Sequence, residues 1–256
     1  MSASHDDRKL KETFGNLADH IAFKSHKPNN FFNAKERYIL ETHDAAMLPL
    51  VRRQPSFLRW LDYGCGTGTF SRKLIPYSEK LVGVDISSGL IEIAKKYCNQ
   101  DATKCSFLVS DGKSIPLSNE TIDRVVVREV LCCVPDEDIP GIVREFHRVL
   151  DLSGKIYLIE QVSESSSWQS HPNLPGLKKR SVNEIIKLFA EGGFELEESE
   201  AVRQPRFPWI YPIWFGFIPN FLIPVLARLE VNWNRHFCPI RTKRWQNVLF
   251  IFRRVN

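Results

Sequence analysis

Residues 60–70 read WLDYGCGTGTF. An apolar run ends in an acid, and three glycines then alternate with Cys65 and Thr67. This is the pattern of a buried strand that breaks into a turn and opens a helix. Glycine at such a turn permits positive φ and lets a ligand approach the backbone closely. The spacing is G-x-G-x-G, with Thr69 where the third glycine of a dinucleotide site would stand. Dinucleotide loops seat a pyrophosphate on a helix N-terminus. Asp62, just ahead of this turn, would repel a pyrophosphate and suits a ligand that carries a cation.

Outward from the loop, strands and helices alternate. FLRWLDYG, KLVGVDIS, CSFLVSDG, IDRVVVREV and GKIYLIEQ read as strands. Thr69–Ile75, SGLIEIAKKYC and DEDIPGIVREFHRVL read as helices between them. SVNEIIKLFAEGGF is a further helix, with Ser181 and Glu184 in capping-box spacing. FELEESEAVR and RWQNVLFIFRR close the chain as two strands with no helix expected between them. The alternation predicts an α/β fold: a Rossmann-like seven-stranded sheet, mostly parallel with an antiparallel last strand, and helices on both faces. Residues 1–54, helical over 6–24 and 31–53, are expected to form an N-terminal cap. Residues 55–204 form the ligand-binding core, 205–240 an apolar and basic insertion, and 241–256 the final strand.

The acids at strand ends define the ligand further. Asp85 ends the second strand and is placed to accept hydrogen bonds from two ribose hydroxyls. Asp111 ends the third and is placed to accept from an exocyclic amine, with Gly112 leaving room for an adenine ring. An ammonium, a ribose and an adenine without phosphate describe S-adenosylmethionine.

Through LDYGCGTG, VGVDIS, VSDGKSIPLSNETIDRVVVREVLCCVPD and REFHRVLDLSGKIYLIE, the chain resembles the class I S-adenosylmethionine-dependent methyltransferases. It is most similar to the broad group of quinone-biosynthesis C-methyltransferases and small-molecule and sugar methyltransferases. The resemblance is close over residues 57–160 and loose beyond. It implies that Asp62, Gly64, Cys65, Gly66 and Gly68 hold the methionine portion of the cofactor, Asp85 and Ile86 the ribose, and Asp111 and Gly112 the adenine. Arg128 and Glu129 would line the pocket. Many relatives carry histidines where this chain has LCCVPD, and Cys132 and Cys133 read as small core residues.

Methyl transfer from a sulfonium is an in-line displacement, so alignment supplies much of the catalysis, and a hydroxyl acceptor also needs a base. The candidate bases are Glu129, Glu160 and His171, with His20 and His236 on flanking segments; for each, an ion pair, a cap or a surface role competes. The six cysteines show no C-x-x-C or metal spacing, so no metal site is expected, and reduced thiols in a cytoplasmic protein are the default. The N-terminal stretch lacks the apolar region of a secretory signal. No Asn/Asp-Pro-Pro-aromatic run and no Pro-Cys pair occurs, which argues against DNA as substrate; RNA is not expected either.

The net charge of +5 divides unevenly: from Ala201 onward nine Lys/Arg face a single acid, Glu230, so residues 1–200 carry −3. Within that basic end, residues 207–227 (FPWIYPIWFGFIPNFLIPVLA) hold no charge. Four prolines argue against one uninterrupted membrane-spanning helix. Two readings stand side by side: an apolar lid over the active face, or a monotopic patch whose aromatic residues meet a membrane interface and whose flanking cations over 205–244 meet anionic headgroups. The expected acceptor is accordingly hydrophobic, lipid- or isoprenoid-linked, of glycan or quinone-precursor type. The alternatives are a soluble small-molecule O- or N-methyltransferase with the insertion as its lid, and a protein that binds the cofactor without turnover.

Overall fold

The computed structural model describes residues 34–171, 174–205, 207–238, 240 and 245–255, with Glu12. The helix expected over 6–24 lies outside them but for Glu12, which is helical.

The strands are β1 (Arg59–Tyr63), β2 (Lys80–Asp85), β3 (Cys105–Val109), β4 (Ile122–Arg128), β5 (Leu150–Val162), β6 (Ser167–His171), β7 (Leu174–Lys179), β8 (Phe194–Arg203) and β9 (Gln246–Arg254). Seven of them form one sheet in the order β3-β2-β1-β4-β5-β9-β8. β1 to β5 pair in parallel. β9 runs antiparallel between β5 and β8, as the sequence predicts for the last strand. The central strands bury both faces, which explains their continuous apolar runs. Val125 and Val127 of β4 join the core on one face, and Val126 joins that on the other.

Helices cover both faces. They are α1 (Ala34–Arg52), α2 (Ser71–Leu74), α3 (Ser88–Tyr97), α4 (Ile139–Val149), α5 (Val182–Glu191), α6 (Ile210–Trp214) and α7 (Ile223–Phe237). α4 buries Ile139, Ile142, Val143, Phe146 and Val149 at helical spacing and packs with Ile185 and Phe189 of α5 on one face. Met47 and Val51 of α1, Leu74 of α2 and Ile91 of α3 pack on the other. Ser87 caps α3 by accepting from the Leu90 amide, and Ser181 and Glu184 form the expected capping box of α5.

Three features depart from the sequence reading. β6 and β7 form a separate two-stranded hairpin after β5. The helix after the glycine loop is a four-residue turn that continues as a 3-10 turn over Ile75–Tyr77. The chain between β8 and β9 carries a 15-residue helix, α7. Pro224 sits in its first turn, where the missing amide has no partner to lose. No helix among the described residues is long and apolar enough to cross a membrane.

The insertion leaves the carboxyl edge of the sheet and packs on α1. Ile210, Ile213, Ile223 and Ala227 enclose Tyr38 in a small core of their own. There Tyr38 donates to Glu230 and accepts from Trp209 Nε1 at 2.5 Å, while Glu230 also accepts from the Gln204 amide at 2.9 Å. The sole acid after Ala201 is thus buried and hydrogen-bonded inside the insertion.

Candidate functional site

A cavity of about 290 Å³ opens beyond the carboxyl ends of β1, β2, β3 and β4. The order of the sheet reverses beside β1, the place where open α/β sheets bind ligands. Its floor is the loop Gly64–Thr69, held to β2 by the Gly64 and Cys65 amides, which donate to Val84 O at 2.8 and 3.0 Å. Gly64 has φ +71°, and a Cβ there would lie 2.3 Å from Val130 Cγ2, so only glycine lets the loop meet the β4 turn. Gly66, at φ +53°, has no protein atom within 4 Å of where its Cβ would stand; that backbone is bare toward open space.

Asp85 lines the cavity. Its Oδ2 accepts from the Gly66 amide at 2.8 Å and its Oδ1 from the Ser87 amide at 2.9 Å. Burial pushes this carboxyl up, and the two amides pull it back. Ile86 lies beside it and packs 3.3 Å from where a Gly112 Cβ would sit. Asp111 and Gly112 form the far wall, where Tyr63 donates to Gly112 O at 2.8 Å and the Lys113 and Ser114 amides donate to Asp111 Oδ1. Cys65 and Cys133 also line the cavity, and Cys132 is buried behind it.

Asp62 stands differently from the sequence expectation. It does not line the cavity; it is 2 % exposed and accepts from Ser71 Oγ at 2.6 Å, bracing the start of α2 from beneath the loop. Gly68 likewise packs against Ala94 of α3 instead of facing the cavity.

Arg128 and Glu129 enter from the end of β4. The Arg128 guanidinium lies 3.9 Å from the centre of the Phe70 ring and 3.2 Å from Asp44 Oδ1 of α1. Glu129 is a non-glycine residue at φ +53° and accepts at Oε1 from Gln161 Nε2 at 2.9 Å and Asn247 Nδ2 at 2.5 Å. Residues held in this sparsely populated region gather at functional sites. Burial pushes its carboxyl up; the charges of His43 and Arg203 and the two amide donors overcome this and leave it below the usual value. His43 is fully buried, its own titration depressed to about 4 by that burial, so at neutral pH Arg203 and the amides do the holding. Its Nε2 has no hydrogen-bond partner.

The other proposed bases lie elsewhere. Glu160 is 2 % exposed and points away from the cavity into the turn after β4, where it accepts the Val130, Leu131 and Cys132 amides at 2.9, 2.7 and 3.2 Å. His171 ends β6, its backbone paired with Leu174 in the hairpin. His236 is exposed on α7 and bonds Asn232 O, and His20 lies outside the described residues. Among the described residues, none lining the cavity comes from 205–240; Leu40 of α1 lines it instead. His43, Gln161 and Asn247 were not singled out in the sequence, although Leu40, His43 and Met47 at helical spacing mark one face of α1; Arg203, which flanks the apolar run, is buried here and not on the surface.

The residues present fit S-adenosylmethionine at three points: a bare glycine backbone, the half-buried Asp85 carboxylate fixed beside the cavity by two amides, and an acidic turn ending in Gly112. Comparison with known proteins agrees. Residues 61–154 match the family model of a methyltransferase domain. Demethylmenaquinone methyltransferase of Lactococcus lactis is 32 % identical over 123 residues, 46 % of this chain and 45 % of that protein. Malonyl-[acyl-carrier protein] O-methyltransferase of Yersinia pestis is 27 % identical over 158 residues, 58 % of this chain and 55 % of that protein. The chain thus spans about half the length of these curated relatives. Geranyl diphosphate C-methyltransferase of Streptomyces coelicolor, solved with S-adenosyl-L-homocysteine, superposes with a TM-score of 0.65 at 15 % identity over 99 % of both chains. Residues 61–154 thus match a methyltransferase domain, on the fold of a methyltransferase solved with S-adenosyl-L-homocysteine. S-Adenosylmethionine is the cofactor of such a domain.

Proposed function

We propose that the chain transfers the methyl group of S-adenosylmethionine to a hydrophobic acceptor, an isoprenoid- or lipid-linked molecule of quinone-precursor type. The observation that carries the reaction is the convergence of the Gly64–Gly66 backbone, Asp85 and Glu129 on one cavity. The acceptor class is supported by relatives named for demethylmenaquinone and geranyl diphosphate.

In this reading Asp85 and Ile86 hold the ribose, Asp111 and Gly112 the adenine, and the Gly64–Gly66 backbone with Cys65 the methionine portion. Asp62 and Gly68 serve by shaping that loop. Bound there, the cofactor supplies a methyl group activated on a sulfonium. Arg128, fixed between Phe70 and Asp44, and Leu40 shape the acceptor side. Glu129, charged at neutral pH, takes the proton of an acceptor hydroxyl or carbon acid. The same reading places the protein peripherally at an anionic membrane surface through residues 205–244.

The test uses methyl-labelled cofactor with demethylmenaquinone, geranyl diphosphate and a total lipid extract, followed by partition into organic solvent. Label is expected in the organic phase. Asp85→Ala is expected to weaken cofactor binding about 10- to 100-fold, the worth of one hydrogen bond to a charged group. Label found only in the aqueous phase would turn the search to soluble acceptors; cofactor binding without label in either phase would favour a protein that binds without turnover.

A further inference from the structure

We propose that one face of α7, with the turn before it, docks the protein on an anionic phospholipid surface, the helix lying in the plane of the headgroups. This deepens the peripheral position above and is independent of methyl transfer. Helix α7 is apolar on two sides. Its inner side, with Ile223, Ala227 and Val231, packs into the protein. Its outer side carries Val225, Leu229, Trp233 and Phe237, each four residues from the last and all exposed, and exposed Phe221 precedes them in the 3-10 turn Asn220–Leu222. Residues four apart lie on one side of a helix, so these four form a ridge roughly 18 Å long that Phe221 extends. Phe221 is 75 % exposed and Phe237 67 %. The Trp214–Phe217 turn adds further exposed rings, Phe217 at 77 %. Soluble proteins leave contiguous apolar surface of this kind only where something covers it.

Charge identifies what covers it. Between Phe207 and Phe237 the charged residues are Arg228, Glu230 and Arg235. Glu230 is fully buried, so the segment itself exposes no carboxylate, while both arginines are exposed. Arg235 pairs with Glu200 of β8 at 2.6 Å, and Lys35 of α1 sits 4.6 Å above the Trp214 ring. Aromatic rings flanked by Arg228 and Lys35, with no exposed acid in the segment that carries them, complement a phospholipid interface: rings enter the headgroup layer and cations meet lipid phosphate. No described helix is long and apolar enough to cross the bilayer, which leaves contact in the surface plane. The insertion leaves the sheet at the end where the cavity opens, and it packs on α1, which supplies Leu40 to that cavity. Docking therefore holds the site at the surface where a lipid-linked acceptor resides.

The test is co-sedimentation of the full chain, without cofactor, with sucrose-loaded vesicles of phosphatidylcholine alone or mixed with phosphatidylglycerol. Binding to the mixed vesicles is expected to be at least about tenfold tighter and to fall with added salt. Phe221→Ser, Trp233→Ser and Phe237→Ser combined should lose about tenfold or more of that binding. All three side chains are solvent-exposed, so the thermal midpoint and S-adenosyl-L-homocysteine affinity should be unchanged. Absent vesicle binding, or binding retained by the triple variant, overturns the proposal. So does a solution dimer that the triple variant splits, because a second copy would then cover the face. An inactive enzyme that still binds vesicles would leave the docking intact and count against methyl transfer alone.

Discussion

Glu129→Gln is expected to lower kcat for methyl transfer by about 10²- to 10⁴-fold, the range for losing a general base. Cofactor affinity should stay within a factor of about three, since the variant leaves Asp85 and the glycine loop untouched. The backbone holds Glu129 at φ +53°, with its amide donating to Ile159 O at 2.8 Å. Gln161 and Asn247 both donate to Oε1, which fixes the carboxylate against the cavity. Its titration lies below 4.5, so the acid limb that it contributes to kcat should fall below that pH, with a level rate through neutrality. Arg203, which is 3 % exposed, depends on this charge, and so loss of activity alone does not separate chemistry from structure. Glu129→Asp does: a shortened carboxylate should restore part of kcat together with the acid limb. A Gln variant with wild-type kcat would reduce Glu129 to a positioning residue and leave the base unassigned.

The legible parts of the fold were those whose physics is local. β1 and β4 announce themselves because a strand buried on both faces must be apolar throughout, and the glycine loop because positive φ restricts the residue type. The capping box at Ser181 is likewise a matter of three residues. What escaped depends on partners far away in the chain. His43, Arg203 and Asn247 come from α1, β8 and β9, and only the sheet order brings them round Glu129. Asp62 looked like a ligand group because sequence marks its place before the loop but not its direction, and Ser71 claims it. The hairpin β6–β7 is read over SWQSH and LPGLKK, where Pro175, Gly176 and the small polar serines hide the alternation. Helix α7 was missed because a proline counts as a breaker unless it falls in the first turn.

Glu160→Ala is expected to cost about 3–5 kcal/mol, since three buried amides lose their acceptor at about 1–3 kcal/mol each and the loop relaxes only in part. For a chain of this size that lowers Tm by roughly 6–20 °C. The turn Leu131–Cys133 is clamped at both ends. Glu160 takes the amides of its start, and Arg180 donates to Leu131 O at 2.7 Å and Val134 O at 2.8 Å. Val130, Cys133 and Val134 of this segment line the cavity, so the variant should also bind the cofactor more weakly. The pH dependence carries the sign of the carboxyl shift. Burial raises Glu160 from 4.5 to about 8, with the charge of Glu129 adding to the rise; the turn amides and Arg180 oppose it. Between those values the native protein keeps a proton that the unfolded chain has lost, so this group's contribution to stability falls as pH rises. Glu160→Gln does not titrate. Urea unfolding of both proteins at pH 5, 6.5 and 8 should therefore show the wild-type advantage shrinking as pH rises, by a few kcal/mol at most. A widening gap would mean that the three amides hold a carboxylate, and that the turn beside the cavity is anchored by charge instead of by a neutral acid.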